Sequence, residues 1–174
     1  MTAINFGEVE ARTELILSER RNPPGLESDI VRMFKEQCIT GHFDDRIPML
    51  CAEDTITYEF SVKAGRADIV IFHIDGSASV IEVKDGSNGY NHVVAGIGQA
   101  ALYAVQFGMR RDILTRVRKC LLWTSTGDLY KDALIEMACI ESKTIPLPWG
   151  HIKLHMAMEQ AVKEIIAERA RDGI

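Results

Sequence analysis

Four residues in this chain invite chemistry by their type and position: Glu27, Asp68, Glu82 and Lys84. Glu27 stands at offsets of three, four and seven from Ile30, Val31 and Phe34, on a helical stripe that should face the core. An unpaired carboxylate buried there is costly. In the first turn of a helix, however, the macrodipole favours an anion by roughly 0.3–1 kcal/mol, so position alone leaves two readings of Glu27. Asp68 interrupts a β-branched run, Arg66 to Phe72, in which Asp is disfavoured. Glu82 and Lys84 share one face of the run Val80 to Lys84. Each pair, Arg66–Asp68 and Glu82–Lys84, also suits a solvated strand face, where such pairs are worth about 0–1 kcal/mol.

Their combination says more. If Asp75-Gly76-Ser77 closes a hairpin, Ile74 lies opposite Ala78, and Asp68 then falls opposite Lys84 with Glu82 two residues away on the same face. Two carboxylates and a lysine converge at one end of a sheet. Mg²⁺ and Mn²⁺ are held by such sets: a few oxygen ligands, with retained water and substrate phosphate completing the shell. The main-chain carbonyl of Val83 offers one more oxygen.

The elements that must position these residues follow from periodicity. Helices are predicted over 8–20 and 26–39, the second with Ile30, Val31, Phe34 and Cys38 on one stripe and Pro23-Pro24-Gly25 between the two. A polar stretch, 40–46, precedes a strand on which Ile56, Tyr58, Phe60 and Val62 alternate. Strands over 66–74 and 78–84, a loop over 85–91, a helix over 92–107 and a strand over 119–124 come next. A helix over 128–141, a break at Pro146 and Pro148, and a helix over 151–171 with Leu154, Met158, Ala161 and Ile165 on one side complete the chain. The fold class expected is α/β, an α+β mixed sheet: a core ordered α-β-β-β-α-β, with helices flanking a central mixed sheet.

On the helix 92–107, His92, Gln99, Tyr103 and Gln106 fall within one narrow stripe, while Val94, Ile97, Ala101 and Ala104 make a side suited to packing on the sheet. Gly96 and Gly98 each cost roughly 1 kcal/mol relative to Ala in a helix interior, which suggests close approach to the sheet or to a phosphate backbone. Gln and Tyr offer neutral hydrogen bonds to phosphate, and the same pair suits an ordinary half-buried face. Just beyond, Arg110, Arg111, Arg116, Arg118 and Lys119 against Asp112 give a local excess of four positive charges, either bordering a nucleic-acid groove or forming a solvated connection.

The acidic residue on a leading helix (Glu27), the strand Asp68 and the following Glu82-Val83-Lys84 together resemble the PD-(D/E)xK nuclease superfamily. Ala67 stands where the family's proline would be. Gln99 and Tyr103, spaced Q-x-x-x-Y directly after the ExK strand, resemble the branch containing the RecB nuclease domain and phage lambda exonuclease-like proteins. The likeness covers about residues 26–124, to the few-residue accuracy of such boundaries. It implies a restriction-endonuclease-like core within a single nuclease domain spanning 1–174, with a helical extension over 1–22 and a helical region over 125–174. It also implies a metal-dependent deoxyribonuclease, a hydrolase of phosphodiester bonds acting on DNA ends or single strands in recombination, repair or phage DNA processing. Asp68, Glu82, the Val83 carbonyl and Glu27 would hold one or two Mg²⁺ or Mn²⁺ ions. Lys84 would steady negative charge rather than act as a base. Gln99, Tyr103, His92, Arg110 and Arg111 would contact DNA. Two alternatives stand beside this: a structure-specific endonuclease resembling Holliday-junction resolvases, acting as a dimer, and a catalytically inert nuclease-like fold used for DNA binding.

Composition sets bounds. A chain of 174 residues, 47% hydrophobic and 26% charged, is long enough for a proper core and too apolar to be disordered. A net charge of −5 excludes a uniformly basic nucleic-acid binder. The longest apolar stretch, Val93 to Met109, holds Gln99, Gln106 and three glycines and is too short to span a bilayer, so no membrane partner is expected. Glu8 and Glu10, with no basic-then-apolar run, do not read as a secretory signal. Cys38, Cys51, Cys120 and Cys139 stand alone without CxxC spacing, as reduced cysteines of a cytoplasmic protein would, and carry no iron–sulfur pattern. Gly86-Ser87-Asn88-Gly89 lacks the Lys-Ser/Thr ending of a phosphate-binding loop, so no nucleotide cofactor is expected. His151 and His155 have a zinc-compatible spacing but no Glu after His151 and no third ligand. A homo-oligomer is left open by the two terminal helices.

Overall fold

The computed structural model describes residues 5–19, 27, 31–32, 54–113 and 116–172. Glu27, Val31 and Arg32 are helical, as expected of that segment. Ile30, Phe34, Cys38, the polar stretch 40–46 and Cys51 lie outside the described residues, as do the side chains of His151 and His155.

The chain divides into two compact units, Pro24–Trp149 and Met1–Pro23 with Gly150–Ile174. One domain was expected across 1–174. In the smaller unit Val9 and Ile16 on α1 (Phe6–Glu19) pack with Ala157, Ala161 and Ile165 on α4 (Trp149–Asp172). Arg12 grips Glu168 with two hydrogen bonds of 2.9 Å, and Arg169 reaches Glu8 at 2.6 Å, so these two helices run antiparallel.

The larger unit is a five-stranded mixed sheet, ordered β1-β2-β3-β4-β5, flanked by helices. Strands β1 (Thr55–Val62), β2 (Gly65–Phe72) and β3 (Ala78–Lys84) form an antiparallel meander. From β3 the chain passes through α2 (Tyr90–Arg111) to β4 (Val117–Trp123), parallel to β3, and through α3 (Leu129–Glu141) to β5 (Ile145–Pro148), parallel to β4. Asp128 starts α3 by accepting hydrogen bonds from the Tyr130 and Lys131 amides. Strand β5 was read as a break because of Pro146 and Pro148. Their spacing of two puts both missing N–H groups on one side of the strand, which an edge strand tolerates.

Helix α2 lies diagonally across one face of the sheet. Its first half packs through Val93 on Leu121 and Trp123, with Ile135 and Cys139 of α3. Its second half packs through Ala104 and Phe107 on Val70, Ala78 and Val80. Cys120 and Cys139 are buried free thiols, pushed up to about 12 by burial and therefore protonated. Among the described residues no helix is long and apolar enough to cross a membrane.

The β2–β3 hairpin departs from the expected register. His73 and Ser77 close the turn, the His73 amide donating to the Ser77 carbonyl at 2.9 Å, so the loop is Ile74-Asp75-Gly76. A three-residue loop of this kind needs a left-handed last residue, and Gly76 supplies it with φ of 76°. Phe72, not Ile74, therefore pairs with Ala78. The register extends to place Asp68 level with Glu82 instead of opposite Lys84.

The turn end of this hairpin is locked by a relay that sequence spacing did not reveal. The His73 Nδ1–H donates to Asp54 Oδ2 at 3.0 Å, and His73 Nε2 is hydrogen-bonded to Ser79 Oγ at 2.8 Å. Asp54 also accepts from the Ile74 amide at 2.8 Å. The order Ser-His-Asp resembles a hydrolytic triad, but Ser79 is 0% exposed, so its role is to hold β1, β2 and β3 together. His73→Ala would leave a fully buried hydroxyl without its partner. The variant should lose on the order of 3 kcal/mol in urea unfolding, far more than an exposed substitution.

Candidate functional site

The strands part at Asp68. Pairing of β2 with β3 ends at Ile69↔Ile81, and β1 and β2 skip the level of Glu59 and Asp68. Glu59 itself adopts a left-handed conformation, φ 53°, costly for a non-glycine residue inside a strand. The Val83 amide, left without a strand partner, donates to Asp68 Oδ2 at 2.7 Å. The Lys84 carbonyl accepts from the Thr124 amide on the β4 side, so strand alternation turns the Val83 carbonyl toward the gap at Asp68.

Glu82 and Lys84 stand at the end of β3, on the face covered by α2, and are 3% and 6% exposed. The Lys84 ammonium donates to Glu82 Oε1 at 2.8 Å and lies 3.8 Å from Glu27 Oε1. His92 Nε2 sits 2.6 Å from the same Glu27 oxygen. Asp68, Glu82, Lys84 and Glu27 thus lie in one cluster, and His92, read from the sequence as a nucleic-acid contact, adjoins it through Glu27. Gly96 makes the close approach possible. A Cβ there would stand 2.8 Å from Lys84 Cγ and 2.6 Å from Leu121 Cδ1, so this glycine serves contact with the sheet, whereas a Cβ on Gly98 would meet open space.

The electrostatics follow from burial. Glu82 is pushed up to about 7, first by desolvation and then by the Asp68 carboxylate. Burial also raises Asp68, and the Val83 N–H and Lys84 offset only part of this. Burial works against charge on Lys84, yet its hydrogen bond to Glu82 and the three surrounding carboxylates outweigh it and hold the ammonium above its ordinary value. The surrounding carboxylates thus favour the charged form of Lys84. Lys84 cannot neutralise Asp68, Glu82 and Glu27 together, and Glu82 Oε2 is buried without a hydrogen-bond partner among the described residues.

A divalent ion suits that donor set. Asp68, Glu82 and the Val83 carbonyl are hard oxygen donors around an orphaned carboxylate oxygen, a partial shell of the kind that Mg²⁺ completes with water and phosphate. Among the described residues no three Asp, Glu, His or Cys side chains form a ready-made cage. Lys84 contacts both Glu82 and Glu27, at 2.8 Å and 3.8 Å.

The remaining candidates separate. Tyr103 packs against the core formed by Ala67, Val70, Ala104 and Phe107 with Ala78 and Val80, and its hydroxyl lies against Gly65 at the start of β2. Gln106 accepts from the Ala64 amide at 2.8 Å, and Gln99 is half-buried between these contacts and His92 along the helix. The stripe thus fastens α2 to the β1–β2 turn. Arg110 and Arg111 end α2 at the opposite end of the sheet, where Arg111 lies 5.4 Å from the centre of the Phe72 ring. Arg116 donates to the Asp75 carbonyl, and Arg118 donates to Ser77 Oγ at 2.7 Å. The basic segment holds the β2–β3 turn and does not border the carboxylate cluster. The reason is topological: β3 and β4 are parallel, so the residues entering β4 lie level with the start of β3.

A cleft of about 530 Å³ does open beside Asp68, lined by Glu27, Val31, Arg32, Tyr58, Glu59 and Arg66 as well. Arg32 and Arg66 are thus cations on the wall of this cleft. The only sequence signal for Arg66 was its spacing of two from Asp68, and Arg32 had none. No protein-family model, curated protein or solved structure matches this chain.

Two predictions test this geometry. Glu82 binds its proton more tightly in the folded chain, near 7, than at its ordinary 4.5. Its stabilising contribution is complete below about 4.5 and is lost as pH rises through 7, at about 1.4 kcal/mol for each unit of displacement. Calorimetry should find the Tm gain of Glu82→Gln over wild type larger at pH 8 than at pH 5, and equal gains would show that Glu82 is not perturbed. Gly98→Ala should stabilise by about 1 kcal/mol through helix propensity, whereas Gly96→Ala should destabilise by forcing α2 off Lys84 and Leu121.

Proposed function

We propose that this chain is a divalent-metal-dependent nuclease of the PD-(D/E)xK kind, with a restriction-endonuclease-like core, that hydrolyses phosphodiester bonds of DNA ends or single strands. The observation that carries this reading is the buried Glu82 carboxylate oxygen beside Asp68, without a hydrogen-bond partner among the described residues, where β2 leaves β3 and a lysine is in contact. Asp68, Glu82 and the Val83 carbonyl would hold Mg²⁺ or Mn²⁺. The ion, when bound, supplies Lewis-acid charge to the phosphate.

The chain's own groups do the rest. Lys84 presents a positive charge, held in place by Glu82 and by the packing of Gly96 on its stem, and steadies negative charge developing on the phosphate oxygens. Glu27, gripped by His92, keeps a carboxylate near the ammonium so that Lys84 stays protonated. Arg32 and Arg66, on the wall of the cleft, are placed to meet the phosphates of an entering strand. Arg110 and Arg111 have no part in this reading.

Purified protein should degrade DNA with Mg²⁺ or Mn²⁺ and stop with a chelator. Asp68→Ala and Lys84→Ala should each lose about a hundredfold or more in rate while retaining the wild-type circular dichroism spectrum. Full activity in either variant would defeat the mechanism. Mn²⁺ should also raise the Tm of the wild type at pH 8 and leave that of Glu82→Gln nearly unmoved. A panel of linear, single-stranded, nicked, circular and four-way DNA decides the substrate; cutting of four-way junctions alone would select the resolvase-like alternative.

A further inference from the structure

A second groove lies away from the carboxylate cluster, where α2 has crossed off β4. It has a volume of about 340 Å³. Ala101, Ala104 and Val105 of α2 form one wall, and the small side chains at 101 and 104 leave it open. Val117 and Ile145 add apolar surface from the starts of β4 and β5. Lys119 and Lys143 supply charge, and neither forms a salt bridge among the described residues. Arg118 alternates with Lys119 on β4 and turns its guanidinium away to Ser77 Oγ, so the two lysines carry the charge of the groove, and no carboxylate lines it. This concentration of positive charge stands in a chain whose net charge is −5.

The apolar surface continues beyond the groove. Leu102, Val105 and Met109 follow one another along α2 at offsets of three and four, and are 50%, 47% and 70% exposed. A ridge of large apolar side chains beside a cationic groove asks for a ligand with apolar side chains and carboxylates together. A phosphodiester backbone would match the lysines and leave the apolar wall and ridge without a complement.

We propose that this groove is a docking site for an acidic, apolar peptide segment of a partner protein. Its carboxylates meet Lys119 and Lys143, and its apolar side chains lie against Ala101, Ala104 and the Leu102–Met109 ridge. The site is independent of the reading of the Asp68–Glu82–Lys84 cluster.

Panning a display library of random peptides on the full chain tests it. The peptides recovered should combine Asp or Glu with Leu, Ile or Phe. In fluorescence anisotropy they should bind at least about tenfold more weakly to Lys119→Glu/Lys143→Glu and to the groove-filling Ala101→Trp. The melting curve of each variant shows whether its fold is intact. Asp68→Ala should bind the peptides as wild type does, so a failure of the nuclease reading leaves this result standing. Recovery of peptides without acidic residues, or undiminished binding to both variants, would overturn the proposal. So would loss of a labelled single-stranded oligonucleotide in the same variants with peptide binding unchanged, which would give the groove to nucleic acid.

Discussion

The arrangement at the carboxylate cluster depends on one backbone amide. Val83 sits in the central strand of the sheet, where a ladder partner from β2 would ordinarily take its N–H. Because β2 peels away after Ile69, that partner is missing, and a buried amide cannot be left unsatisfied without a cost of about 1–3 kcal/mol. The Asp68 carboxylate replaces the lost strand contact. One hydrogen bond therefore satisfies the backbone, fixes the position of an acidic side chain and leaves the Val83 carbonyl facing the same gap. On its other side β3 stays paired with β4 as far as Lys84↔Trp123, so the fork has one rigid arm.

Burial then sets the charge states. The whole of β3 is buried, and α2 approaches its end closely because Gly96 carries no side chain. In that setting a carboxylate is costly, which raises both Asp68 and Glu82, and the same carboxylates hold Lys84 charged against its own desolvation. The cluster is left with more acidic groups than one ammonium can balance. An added cation would relieve the repulsion between Asp68 and Glu82 and give Glu82 Oε2 a partner.

Much of this was legible in local pattern. A strand over 78–84 and a helix over 128–141 were read from the sequence and are present as β3 and α3, and the shared face of Glu82 and Lys84 follows from strand alternation. Hairpin register was not legible, because Ile74 to Ser77 offers more than one three-residue loop. The choice rests on which residue must be left-handed, and Gly76 settles it. Strand β5 was hidden because proline reads as a breaker unless the strand is known to lie at an edge. The partner of Asp68 is a main-chain amide, which residue types do not reveal. The His73 relay joins residues 19 and 6 positions apart, and only the folded hairpin brings them together. The far position of the basic segment depended on β4 running parallel to β3, which places Arg116 and Arg118 at the turn.

The two ends of β3 differ in what their polar groups achieve. At the turn end, His73 and Ser79 satisfy each other, Asp54 ties in β1, and Arg116 and Arg118 hold the loop. Every one of these contacts favours the fold. At the other end a lysine and a glutamate are buried side by side with one carboxylate oxygen unmatched, next to a left-handed glutamate and a strand that has lost its pairing. Apolar residues of similar volume would serve stability at least as well there, since the desolvation of a buried ion pair commonly exceeds what the pair returns. The stability of the sheet therefore gives no reason for Glu82 and Lys84. On the reading proposed above, a cation held by Asp68 and Glu82 would offset the repulsion between these carboxylates and give Glu82 Oε2 a partner, whereas the left-handed Glu59 and the lost strand pairing would remain.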